Sequence, residues 1–115
     1  LNSVANGILI RPESSASIIN NTVENSRTGI SVDENSSARI GFQVPTVLGL
    51  PNTIQNSTDS GIAVLHNSSA RIIAATIRNN GGAGIQVERA FHADITDNSI
   101  NGNLRNGITV SGNSV

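Results

Sequence analysis

A tetrapeptide of the form Gly-Ile-x-Val recurs down the chain, with Ile in the last place once. It occurs at Gly7-Ile8-Leu9-Ile10, Gly29-Ile30-Ser31-Val32, Gly61-Ile62-Ala63-Val64, Gly84-Ile85-Gln86-Val87 and Gly107-Ile108-Thr109-Val110. Its glycines are spaced by 22, 32, 23 and 23 residues. A unit of this size cannot bury its own apolar face, so successive units must stack and share one continuous core. The repeat therefore predicts a pile of similar coils rather than a globule organised around a single pocket.

Two further aliphatic columns share the period. Nine residues after each of the first four glycines stands an alanine (Ala16, Ala38, Ala70, Ala93), and two residues further an isoleucine (Ile18, Ile40, Ile72, Ile95). A third short strand is centred on Val23, Ile54, Ile77 and Ile100. Apolar residues on alternate positions put one face of each strand inward and the other toward water. The long step of 32 comes from nine residues inserted between Gly41 and Pro51. This loop, at about 42–51, is apolar where a solvated linker would be polar, so it is expected to cover its own stack or a partner.

Asparagine marks the bends. Asn21, Asn52 and Asn98, with Ala75 in the same column, precede the third-strand aliphatic by two residues, and Asn25, Asn56, Asn79 and Gly102 follow it by two. Asn and Gly tolerate left-handed backbone angles, and an Asn amide is expected to bond the same amide one coil up or down.

The pattern Asn-x-(Ile/Val)-x-Asn, then Gly-Ile-x-Val, then Ser-x-Ala-x-Ile resembles the right-handed parallel β-helix repeat of the pectate-lyase-like superfamily, over nearly the whole chain. The resemblance implies an all-β, right-handed parallel β-helix of about five coils of 22–23 residues with three parallel sheets. Residues 1–115 read as a single β-helix domain or as a fragment of a longer one, both ends stopping partway round a coil. The resemblance also implies a polysaccharide groove. The Asn-Thr-Asp, Asp-Asp, Gly-His-Gly and Arg-Ile-Lys signatures of polygalacturonases are absent, as are Trp-x-Asp-His of pectate lyases and Asp-Pro-His of alginate epimerases. No catalytic residue is carried over.

Composition narrows the function classes. Cysteine, Trp and Tyr are absent and Phe occurs twice, which removes disulfides, thiolate metal sites and most aromatic stacking. Seven basic residues against eight acidic ones, with no basic run, argue against nucleic acid as a partner. No apolar run approaches the roughly 20 residues that span a bilayer.

Stacking the coils in register gathers polar residues on one edge. Asp33, Leu65 and Glu88 share the column four residues past the glycine, and Glu34, His66 and Arg89 the next. With coils about 4.8 Å apart, Asp33 and Glu88 lie roughly 9.5 Å from each other, the upper limit for an inverting carboxylate pair. Asp33, His66 and Glu88 are thus the candidate catalytic residues, with His66 for proton transfer. Glu34 and Arg89 are candidate binding residues, no metal ligand is assigned, and calcium is the cation such oxygen groups would hold. The same residues also read as ordinary solvated turn positions. His92 and Phe91, which replaces the serines of its column (Ser14, Ser36, Ser68), form either a local binding spot or an apolar edge cover. Phe42, on the inserted loop, is a further binding candidate. Outward hydroxyls on the third strand (Ser3, Thr22, Thr53, Thr76, Ser99) make a column one residue wide, as β-propensity favours.

The expected function is a structural or binding segment of an extracellular or surface protein: an adhesin, a spike or a carbohydrate-associated repeat region, not catalytic on its own. Its expected partners are polysaccharide, further parent chain or another β-helix stacked end to end. The alternative is a polysaccharide lyase, glycoside hydrolase or epimerase acting in a groove along the helix.

Overall fold

A computed structural model describes residues 6–10, 12–41 and 52–112. The first coil comprises β1 (Ile8–Ile10), β2 (Ser15–Ile18) and β3 (Thr22–Glu24). The second comprises β4 (Ile30–Val32), β5 (Ser37–Ile40) and β6 (Thr53–Gln55), and the third β7 (Ile62–Leu65), β8 (Ser69–Ile73) and β9 (Thr76–Arg78). The fourth comprises β10 (Ile85–Glu88), β11 (His92–Thr96) and β12 (Ser99–Asn101), and β13 (Ile108–Ser111) opens a fifth. Each strand pairs in parallel with its counterpart one coil away, giving three sheets in the orders β1-β4-β7-β10-β13, β2-β5-β8-β11 and β3-β6-β9-β12. The architecture is the all-β solenoid of three parallel sheets that the repeat predicts.

The register is that of the sequence columns. Ile30 pairs with Ile62 and Val32 with Val64; Ala38 pairs with Ala70 and Ile40 with Ile72; Ile54 pairs with Ile77. Because a one-residue slip would turn every aliphatic to solvent, burial enforces this register in all three sheets at once. Ile30, Ile62, Ile85, Ile40, Ile72, Ile54 and Ile77 are completely buried, in one cluster with Val23, Val32, Val64 and Val87.

The repeat glycines are required by space. A Cβ on Gly29 would lie 2.4 Å from Ile54 Cγ2 and 2.5 Å from the Gly61 carbonyl oxygen. On Gly61 it would lie 2.7 Å from the Gly84 oxygen and 2.8 Å from Ile77 Cγ2. Those carbonyls accept the inter-coil bonds: the N–H groups of Ile8, Ile30, Ile62 and Ile85 each donate to the glycine of the next coil at 2.9 Å. A side chain here would push the first sheet off its neighbour and the third-strand aliphatic out of the core.

The bends follow the asparagines in part. Asn25, Asn56, Asn79 and Gly102 take φ of 55, 58, 57 and 66°, the left-handed conformation expected of that column. In the other column the left-handed residue is the one before the column position, at Asn20 and Asp97 before Asn21 and Asn98 and at Ala74 before Ala75. There the amides do not stack on each other. Asn52, fully buried, accepts from the Asn21 N–H and donates to the Ile18 carbonyl, both at 2.9 Å, and Asn98 does the same for Ala75 and Ile72 at 2.8 and 2.9 Å. One amide closes two backbone groups that the bend leaves open, which a like-to-like amide ladder would not do.

Replacing Gly61 with Ala is expected to lower stability by about 1–3 kcal/mol through overpacking. Gly107→Ala, where the nearest contact of the added carbon is 3.6 Å, is expected to change it by less than about 0.5 kcal/mol. Urea titration of the two variants checks the contrast.

Candidate functional site

Sheet geometry decides which polar side chains meet. On the first sheet the positions after the buried valines point outward, so Asp33, Leu65 and Glu88 form one outward column, with Glu88 directly opposite Leu65. At the bend that follows, Glu34, His66 and Arg89 hold left-handed φ of 57, 46 and 51°, and Gly112 continues the column at 67°. Glycine or asparagine would take this conformation at less cost. The chain instead places an acid, an imidazole and a guanidinium there.

The left-handed bend turns the His66 ring back across one rung to Asp33, where Nδ1 meets Oδ1 at 2.7 Å. The same oxygen accepts the Glu34 backbone N–H at 2.8 Å. Asp33 is 19 % exposed and His66 52 %, so the pair is anchored at the carboxylate and open at the imidazole. Glu88 belongs to a different network. Its Oε2 accepts from Gln86 Nε2 at 3.1 Å, and Gln86 Oε1 accepts from the Ser60 hydroxyl at 3.1 Å. Leu65 stands on the rung between Asp33 and Glu88. The structure thus joins Asp33 to His66 and leaves Glu88 a rung beyond, bonded along its own strand.

Glu34 and Arg89 are exposed and flank His66 in the bend column. Phe91 is 70 % exposed, and His92 beside it is exposed at the start of β11. Phe42 and the rest of the inserted loop lie outside the described residues. Among the described residues no three His, Cys, Asp or Glu side chains gather as a metal site would require.

Grooves lie elsewhere. One of about 590 Å³ follows the bend between the third and first sheets, lined by Asp59, Ser60, Gln86, Arg105, Asn106 and Thr109. Another, of about 400 Å³, runs over the outward face of the second sheet between Ser37, Ser69 and His92 on one side and Arg39, Arg71 and Asp94 on the other. A third, of about 410 Å³, lies at the bend around Asn79, Gly81 and Leu104. None of these three is lined by Asp33, His66 or Glu88, whereas His92 lines the second-sheet groove. The arginines of that groove have a signal in the sequence, since Ser17, Arg39, Arg71 and Asp94 each fall one residue after the alanine column.

Buried polar residues form a further set that the sequence columns hold without revealing their role. Three residues after the third-strand aliphatic stand Ser26, Ser57, Asn80 and Asn103. Asn80 Oδ1 accepts the Ser57 N–H at 2.9 Å, and Asn103 Oδ1 accepts both the N–H and the amide of Asn80 at 3.0 and 2.9 Å. Ser36 and Ser68 likewise accept the backbone N–H groups of Ser14 and Ser36, at 3.3 and 3.2 Å. These side chains are structural ties between coils.

A family model described as a right handed beta helix region matches residues 6–115. No match is found among curated proteins or among solved structures. Among the described residues no helix is long and apolar enough to cross a membrane.

Proposed function

We propose, from the premise that the chain belongs to the right-handed beta helix family, that it is a structural and binding segment of an extracellular or surface protein. Its main contact in this reading is a further β-coil docked on its C-terminal rung. The observation that carries this is the exposure of core columns there. Ile108 and Val110 are 45 % and 58 % exposed, while Ile62, Val64, Ile85 and Val87 in the same columns are 0–1 % exposed. Leu104, 83 % exposed, borders the same end. At this rung β11, β12 and β13 each pair on one side only among the described strands, and an unpaired parallel edge is a template for another strand. A second copy of the chain fits this role, since its Gly7-Ile8-Leu9-Ile10 would continue the Gly-Ile column in register.

A second reading, a polysaccharide-acting lyase, hydrolase or epimerase, is favoured by one observation: the bond between Asp33 and an exposed imidazole, an arrangement suited to proton transfer. The separation of Glu88 weighs against it, because paired-carboxylate chemistry needs both groups on one substrate.

Light scattering over a range of chain concentrations is expected to show mass rising with concentration, and Val110→Lys is expected to suppress the rise. A monomer at every concentration would remove self-stacking. A polysaccharide panel with and without calcium, comparing the chain with the Asp33→Ala, His66→Ala, Glu88→Ala triple variant, is expected to show no turnover by either. Turnover lost in the variant would replace the structural reading with the enzymatic one.

A further inference from the structure

Two outward columns run side by side along the second sheet. Ser15, Ser37, Ser69 and His92 are in register in one, and Ser17, Arg39, Arg71 and Asp94 in the other. The groove between them is floored by the backbone at Ala38 and Ala70, whose side chains point into the core. Arg39 and Arg71 stand directly opposite each other on adjacent strands, about 4.8 Å apart along the stack. Like charges in that relation repel. On its far side Arg71 is offset by Asp94, with Nε 3.6 Å from Oδ2. Arg39 has Ser17 on its far side, and no carboxylate among the described residues forms an ion pair with it.

The third sheet handles the same problem differently. Its outward column Glu24, Gln55, Arg78 is internally satisfied, Gln55 donating to Glu24 at 2.8 Å and accepting from Arg78 Nε at 2.9 Å. The acid and the base sit at the ends of one relay, and no charge is left over. On the second sheet the column carries two cations and one anion.

We propose that the groove between these columns is a binding site for a tetrahedral oxyanion, a sulfate or phosphate group held between Arg39 and Arg71 with the Ser37 and Ser69 hydroxyls as further donors. Guanidinium groups from two rungs and hydroxyls from the adjacent column line the same depression. That suits an anion with acceptors in several directions better than a planar carboxylate, which one arginine fork saturates. A bound anion also removes the Arg39–Arg71 repulsion. The site is independent of the end face and of the Asp33–His66 pair.

The test is an amide chemical-shift titration at low ionic strength with inorganic sulfate, inorganic phosphate, acetate and a sulfated polysaccharide. The expected result is saturable shifts centred on residues 37–39 and 69–71. Arg39→Gln weakens binding about tenfold or more, as loss of a charge-assisted contact does. Arg27→Gln, at an exposed bend away from this sheet, leaves binding unchanged. Saturation by the inorganic ions identifies a small anion as the ligand source, and saturation by the polysaccharide alone identifies an ester on a polymer; both support the site. Three results would overturn it: no saturation by any tetrahedral oxyanion, acetate binding as tightly, or equal weakening by the two arginine variants. Circular dichroism of both variants confirms that the fold is intact.

Discussion

The bond from each Gly-Ile-x-Val isoleucine N–H to the repeat glycine of the next coil, 2.9 Å at all four steps, is the contact on which the rest of the structure depends. It requires the two backbones to meet where the third-strand aliphatic also passes, and only a residue without a side chain leaves room for both. Once that contact is made the first sheet is in register. Apart from the link from β5 to β6, which carries the insertion, the bends are short, so the other two sheets follow. Stability is then a property of neighbouring coils in contact, as expected of a quasi-one-dimensional fold.

A parallel stack carries a polar cost at its corners, where the chain leaves a sheet and backbone groups lose their ladder partners. Asn52, Asn98, Asn80, Asn103, Ser36 and Ser68 supply the missing partners from side chains one coil away. The Asn and Ser content of the chain is therefore part of its packing. Outward positions are released from this work, and it is there that charge collects: Asp33 with His66, the Glu24–Gln55–Arg78 relay, and the arginine column of the second sheet.

Much of this was legible from residue spacing. The three aliphatic columns imply strand positions, faces and register, since a period of two within strands and about 23 between them leaves little choice. The left-handed column at Asn25, Asn56, Asn79 and Gly102 could be read because Gly substitutes there for Asn. What the columns hide is direction. Nothing in the spacing of Asn52 says whether its amide faces the amide above or the backbone beside it, and the answer comes from the groups the bend leaves unpaired. The edge cluster shows the same limit. Its members share two columns, but the left-handed angle at His66 carries that ring to Asp33, while Glu88 follows its own strand to Gln86. The second-sheet groove is hidden in the spacing because its floor is the backbone of core alanines and its rim consists of ordinary outward positions. It becomes visible only when the two columns are set side by side.

Deletion of one whole coil tests most directly whether coil-on-coil contact is what holds the chain together. Removing residues 61–83 joins Ser60 to Gly84 and keeps every column in register with one rung fewer. The shortened chain is expected to keep the parallel-sheet circular dichroism and to unfold cooperatively with a smaller urea slope, in proportion to the surface lost. Removing residues 61–72 instead leaves the columns out of phase and is expected to abolish the fold. If the whole-coil deletion unfolds the chain as completely as the partial one, stability does not reside in the stacking of equivalent coils.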